Sequence, residues 1–333
     1  MKSIFLCQKP STIEWVYSEA AKAQLKAIAE LNDKVFSKEY LIEHPEQFKE
    51  TEYIFSTWDM PTLTEDEIRR CLPKLKAVFY AAGSVQFFAK PFLNCGVKVF
   101  SAWAANAVPV AEYTVAQIVL SNVGFFAASR INSLAEHREA HARFCNYPGN
   151  YGVKVGIIGA GMIGKLVIKM LKAYNMEILV FDPFLPDETA AELEVEKVSL
   201  ERIFSECNVV SNHLANNSDT VGMLNGELFR KMLPYSTFIN TGRGAQVVEK
   251  DLIELLSNRP DVTAILDVFN PEPPVEGSPF YTLENCVITP HIAGSWGNEV
   301  HRMSDYMVNE FKCYKNGEGC KYEVTAEMLK TMA

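Results

Sequence analysis

Three segments in the second half of the chain carry side chains able to move a proton and hold an anion. Arg243 stands in Ile239-Asn240-Thr241-Gly242-Arg243-Gly244. Glu272 stands in Leu266-Asp267-Val268-Phe269-Asn270-Pro271-Glu272-Pro273, and His291 in Thr289-Pro290-His291-Ile292-Ala293-Gly294. A guanidinium offers a carboxylate two parallel donors. An imidazole titrates near neutrality and can give or take a proton. A carboxylate beside that ring orients it and stabilises its charged form. The set suits reduction of a 2-keto acid: the carboxylate is gripped, the carbonyl oxygen is protonated, and a cofactor carries the hydride. Singly, each residue has a bland reading, as a structural histidine, a solvated loop glutamate or a phosphate-binding arginine. Their succession behind a nucleotide motif favours the chemical one.

That motif is Gly159-Ala160-Gly161-Met162-Ile163-Gly164, a G-x-G-x-x-G between an expected strand, Lys154–Ile158, and an expected helix, Lys165–Tyr174. The next strand ends in Asp182, 18 residues beyond Gly164. This context is far more specific than the glycines alone. Gly159 makes the tight turn, Gly161 lets a pyrophosphate approach the backbone, and Gly164 lets helix and strand pack closely. The helix N-terminus offers amides and positive dipole to phosphate. Asp182 would accept from ribose hydroxyls and repel a 2′-phosphate. Pro183-Phe184-Leu185-Pro186 follow with no arginine, so NAD is favoured over NADP.

These residues need a scaffold that brings strand ends together. From Tyr151 onward the pattern predicts strands at Val153–Ile158, Glu177–Phe181, Asn208–Asn212, Ser236–Asn240, Thr263–Leu266 and Cys286–Ile288. Helices are expected at Lys165–Tyr174, Gly226–Met232 and Lys250–Ser257. This is a doubly wound α/β sheet, whose ligands sit at the carboxyl ends of its strands. The first hundred residues alternate similarly, with strands at Ile4–Leu6, Tyr53–Phe55, Lys76–Tyr80 and Val97–Phe100. Ser11 with Glu14, and Thr64 with Glu67, read as capping boxes. Ile13, Val16, Leu25, Ile28 and Leu31 mark one face of a single long helix. The apolar stretch Glu112–Ser129 reads as a buried or interface helix rather than a membrane span. Asn298–Tyr314 reads as a last helix able to carry the tail back to the first domain.

Length and composition bound the rest. At 333 residues the chain has room for about two domains. A net charge of −9 disfavours nucleic acid as a partner. The eight cysteines form no C-x-x-C and read as reduced. No leader segment or membrane span is visible, so the expected place is the cytoplasm. His137 and His141 lie four apart but outside any H-E-x-x-H pattern, so a solvated helix face is expected and no metal site. Trp296 has two readings, a wall of the substrate pocket and a packing residue.

On these motifs the chain resembles the D-isomer-specific 2-hydroxyacid dehydrogenase family, including the catalytic portion of phosphoglycerate dehydrogenases and the glyoxylate/hydroxypyruvate reductases. The resemblance implies a Rossmann-type doubly wound parallel sheet, the NAD domain (109–300), inserted in a smaller flavodoxin-like α/β substrate domain (1–108 plus 301–333). It implies an NAD-dependent hydride transfer at C2 of a small 2-hydroxy or 2-keto acid. Arg243 would bind the substrate carboxylate, Glu272 would orient His291, and His291 would be the acid/base. Gly159, Gly161, Met162, Ile163, Gly164, Asp182, Ala215, Thr220, Thr241, Gly242, Asp267 and Gly294 fall on cofactor-contacting positions, with Asp267 holding the nicotinamide carboxamide. Gly83, Ser84 and Val85 align with the family's substrate-carboxylate loop, A-G-x-G-x-D, without its second Gly and its Asp. Ala215 stands where the family usually has Pro. Val108-Pro109-Val110-Ala111-Glu112 resembles the start of the family's dimerisation helix, which implies a homodimer through the 109–130 region. Two alternatives share the fold. Formate dehydrogenases pair their His with Gln rather than Glu. The C-terminal-binding corepressors, NAD-sensing binding proteins, keep the same Arg, Glu and His.

Overall fold

A computed structural model describes residues 2–129 and 133–330. Residue 130 of the expected 109–130 interface region, and the extreme ends of the expected domains, lie outside the described residues. The chain forms two compact units, Met1–Asn106 with Ser295–Ala333, and Ala107–Gly294. The junctions fall slightly before the expected 108/109 and 300/301. One long helix, Trp103–Asn122, runs through the first junction, and Ser295–Glu299 already belongs to the first unit.

The strands are β1 (Ser3–Leu6), β2 (Leu31–Phe36), β3 (Tyr53–Ser56), β4 (Ala77–Tyr80), β5 (Lys98–Ser101), β6 (Val153–Ile158), β7 (Met176–Phe181), β8 (Glu196–Lys197), β9 (Val209–Asn212), β10 (Thr237–Asn240), β11 (Thr263–Leu266), β12 (Cys286–Ile288) and β13 (Glu323–Val324). In the first unit the order is β2-β1-β3-β4-β5-β13, parallel except for antiparallel β13. This is the flavodoxin-like order, which reverses between β1 and β3. In the second unit the order is β8-β7-β6-β9-β10-β11-β12, all parallel. This is the Rossmann order, which reverses between β6 and β9.

Strands buried on both faces read as continuous apolar runs. In the first unit, register pairs Phe55 with Phe79 and Phe79 with Phe100. Their rings stack at 5.5 and 4.7 Å. Phe311, from the helix Val300–Asn316, meets the first two edge-on at 5.2 Å. The last helix therefore does return to the first unit. The second unit buries Phe204, Phe229 and Phe238 on one side of its sheet and Ile157, Val167 and Ile168 on the other.

Several expectations need correction. The single long helix after residue 11 is two, Pro10–Val16 and Glu19–Ala29, and Leu31 begins β2 instead. Ser11 lies inside the first of these helices, whose N-cap Lys9 has no side-chain cap, with Pro10 setting the start. Thr64 and Glu67 do form the expected capping box. The stretch Glu112–Ser129 is not one helix. It joins the end of Trp103–Asn122 to the short helix Phe125–Ala128. Gly124, at φ +68°, breaks it, and the Tyr147 ring fills the space a Cβ would need. Among the described residues no helix is long and apolar enough to cross a membrane.

Candidate active site

The glycine loop is built by contact. Gly159 has φ +90°, and a Cβ there would lie 2.8 Å from the His213 carbonyl, at the end of β9. A Cβ on Gly164 would lie 2.0 Å from the Gly159 oxygen, so the helix Met162–Leu171 sits hard against its own loop. A Cβ on Gly161, the N-cap, would meet nothing within 4 Å. Two glycines thus answer to packing, and the third faces open space at a helix N-terminus. That space fits a pyrophosphate, whose charge the free amides of the first turn would meet. Met162 is half exposed beside it, and Ile163 packs towards the core. Asp182 ends β7, and both its oxygens are engaged: Ala160 N donates to Oδ2 at 2.7 Å and Phe184 N to Oδ1 at 2.8 Å. A carboxylate accepts at about four positions, so ribose hydroxyls still have sites.

Arg243 is positioned by buried amide side chains. Register places Asn212 opposite Asn240 at the ends of β9 and β10. Asn212 Nδ2 donates to Asn240 Oδ1 (3.0 Å) and Gln246 Oε1 (2.6 Å). Gln246 Oε1 also accepts from Arg243 N, while its Nε2 donates to the carbonyls of Leu214 and Ala215. Asn240 Oδ1 accepts from Gly242 N. A Cβ on Gly242 would strike this network at 2.8 Å. Thr220, almost buried, donates its hydroxyl to the Ala215 carbonyl. Sequence reading missed Asn212, Asn240 and Gln246, although paired Asn residues at two neighbouring strand ends were a visible signal. The Arg243 guanidinium donates to the Gly242 carbonyl at 2.8 Å, and among the described residues no carboxylate lies within ion-pairing distance of it. Burial pushes its pKa down from the usual value, with the Glu272 charge acting in the opposite sense.

The loops after β11 and β12 bring the other two groups together. His291 Nδ1 stands 2.7 Å from Glu272 Oε1, and both side chains remain substantially open to solvent. His291 holds φ +55°, a left-handed conformation uncommon outside glycine and often stored at functional sites. Asp267 keeps it there. Its carboxylate is 1% exposed and accepts from Thr289 Oγ1 (2.6 Å), Ile292 N (2.8 Å) and Ala293 N (2.9 Å). Tyr113 OH meets the same Thr289 hydroxyl at 3.1 Å. The resemblance suggested Asp267 as a nicotinamide contact; three donors of the histidine loop reach its carboxylate, which accepts at about four positions. Gly294 ends this loop and the unit.

His213 lies buried at the end of β9, with Nε2 2.9 Å from Ser211 Oγ and Nδ1 3.5 Å from Thr241 Oγ1. Burial pushes its pKa down to about 3, so it is neutral. Thr241 meets Thr114 at 3.3 Å.

In the first unit, Gly83, Ser84 and Val85 follow β4. Among the described residues, no hydrogen bond uses their three amides. Ser101 Oγ fixes the loop through the carbonyls of Ala82 (2.8 Å) and Gly83 (2.6 Å). His137 and His141 are exposed on the helix Leu134–Phe144, and no three metal-ligating side chains cluster among the described residues.

Comparison with known proteins agrees with this architecture. The NAD binding domain of the D-isomer specific 2-hydroxyacid dehydrogenases matches residues 127–293. A glyoxylate reductase of Korarchaeum cryptofilum is 29% identical over 79% of this chain and 80% of its own. A D-3-phosphoglycerate dehydrogenase of Mycobacterium bovis is 30% identical over 70% of this chain, which spans only 44% of that protein. The apo structure of D-mandelate dehydrogenase from Rhodotorula graminis superposes with a TM-score of 0.80 over 97% of each chain, at 19% identity. The chain belongs to the D-isomer specific 2-hydroxyacid dehydrogenase family, and is an oxidoreductase with a nicotinamide dinucleotide-binding domain.

Proposed function

We propose that the protein interconverts a small 2-keto acid and its D-2-hydroxy acid with NAD as the preferred cofactor, His291 serving as acid/base. The observation that carries this reading is the 2.7 Å pair between His291 Nδ1 and Glu272 Oε1, on a loop held by Asp267. With Nδ1 occupied, Nε2 is the atom left to protonate the C2 oxygen in reduction and to take the proton back in oxidation. Glu272 orients the ring through that contact. Arg243, with no carboxylate within ion-pairing distance among the described residues, is one group proposed for the substrate carboxylate; the amides of Gly83, Ser84 and Val85, which no hydrogen bond among the described residues uses, are another. The bound nicotinamide dinucleotide supplies or accepts the hydride.

Met162, Ile163 and the Gly161 turn hold the pyrophosphate, and Asp182 the adenosine ribose. Ala215, Thr220, Thr241, Gly242 and Gly294 line the same cofactor site. A 2′-phosphate beside Asp182 would meet a second negative charge, which supports NAD over NADP. The partner is a second copy of the chain through the 109–130 region, where Phe125 is 46% exposed. The decisive experiment is NADH oxidation with glyoxylate, hydroxypyruvate, pyruvate, phenylpyruvate and phosphohydroxypyruvate in parallel. Turnover of at least one, abolished in a His291 variant, is expected; none turned over would overturn the reading.

A further inference from the structure

Three of the four tryptophans meet at one corner of the first unit. The Trp15 ring lies 5.4 Å from Trp58 and 5.7 Å from Trp296, tilted against each. Trp15 is 39% and Trp296 53% exposed. Trp58 is half-buried against the core, so the corner presents two exposed indoles in ring contact over a third, the amphipathic aromatic surface found at binding sites.

Their place in the fold is specific. Trp58 follows β3 and Trp15 lies on the helix after β1, so they flank the point where the sheet order reverses, the ligand crevice of an open α/β sheet. Cys7 Sγ, just past β1, meets the Trp58 carbonyl at 3.2 Å and joins the two loops. The cluster is also bonded to the segment after β4 and lies close to Gly83. Buried Thr57, next to Trp58, donates to the Ala81 carbonyl at 2.8 Å. Ser295 N, next to Trp296, donates to Asn106 Oδ1 at 3.0 Å. The Asn106 amide nitrogen in turn lies 4.0 Å from where a Gly83 Cβ would stand. Ser295 Oγ is itself buried without a partner among the described residues.

From these contacts we infer that Trp15, Trp58 and Trp296 form the subsite for the substrate's side chain, selecting a 2-keto acid with an aromatic or bulky apolar group. The inference rests on the 2-keto acid reading above. With the carboxylate on the open amides of Gly83–Val85, a C3 substituent is offered the exposed indoles of Trp15 and Trp296, backed by Trp58. Charge at this corner argues against a phosphorylated or dicarboxylic side chain. Asp59 adjoins Trp58, and Lys9 is already paired with it at 3.3 Å. Glyoxylate has no side chain to present.

The test compares kcat/KM for phenylpyruvate with that for pyruvate, glyoxylate and phosphohydroxypyruvate in the wild type and in Trp15→Ala, Trp296→Ala and Trp296→Phe. A preference for phenylpyruvate over pyruvate of about tenfold or more is expected, the scale on which apolar pockets discriminate. Both alanine variants should cut that ratio about tenfold, and Trp296→Phe should keep most of it. A binding readout needs no turnover. Calorimetric titration of NAD-loaded His291→Asn should show D-phenyllactate binding about tenfold tighter than D-lactate. Preference for glyoxylate or phosphohydroxypyruvate, or a ratio unmoved in both alanine variants, would overturn the subsite and leave the 2-keto acid reading standing. No turnover of any acid, with no hydroxy acid bound, would overturn both.

Discussion

His291 and Glu272 face each other at 2.7 Å across two loops, and the histidine does so from a left-handed backbone. Asparagine tolerates that conformation better than alanine, so it is the cleaner test of the side chain. His291→Asn is expected to lower kcat by about two to four orders of magnitude, the range for a general acid/base. NADH affinity, read by fluorescence titration, should stay within about twofold. Retained turnover would refute the assigned role. Glu272→Gln should cost about two orders of magnitude in kcat with the same NADH affinity.

The glycine loop separates packing from ligand binding. Gly164→Ala places a methyl against the Gly159 carbonyl and should leave the second unit largely unfolded by circular dichroism. Gly161→Ala meets nothing and should melt within a few degrees of wild type while losing about tenfold or more in NADH affinity. Equal melting losses in the two variants would contradict this division.

On the proposed reading, Asp182 governs the choice between NAD and NADP. Asp182→Ser removes the charge that would repel a 2′-phosphate, and should shift the NADPH to NADH ratio of kcat/KM upward by about tenfold. An unchanged ratio would mean that the adenosine ribose lies elsewhere.

His213 makes the second unit acid-sensitive. Its folded pKa is about 3, against about 6.5 when unfolded, so above pH 6.5 it contributes nothing either way. Below that, the unfolded chain takes up a proton the folded one refuses, and stability falls by up to about 1.4 kcal/mol per pH unit towards pH 3. Urea unfolding at pH 7, 6 and 5 should show this slope in wild type and a shallower one in His213→Gln. Equal slopes would mean that other groups set the acid limit.

What could be read from the chain alone follows from range. Gly159, Gly161 and Gly164 are legible because a turn, a close approach and a helix contact each act within a few residues. The helix and β2 on either side of Glu30 were not separable by period. Leu31 continues the apolar spacing of Ile28, and only pairing with β1 draws it into the sheet. Arg243, Glu272 and His291 stand out by type and by position after strands, and the structure pairs the last two at 2.7 Å. Asn212 and Gln246, which place Arg243, did not, because a buried amide looks like any polar residue until register sets it beside its partner. Trp15, Trp58 and Trp296 are far apart in the chain; pairing of β1 with β3 brings the first two together, and the C-terminal segment adds the third.

Gly244 sits one residue past Arg243, and a Cβ there would lie 2.0 Å from the Phe269 carbonyl carbon, three residues before Glu272. The arginine and glutamate segments therefore interlock backbone to backbone. Neither can gain or lose a residue without displacing the other, so loop grafting from a relative would have to transplant both segments as one cassette.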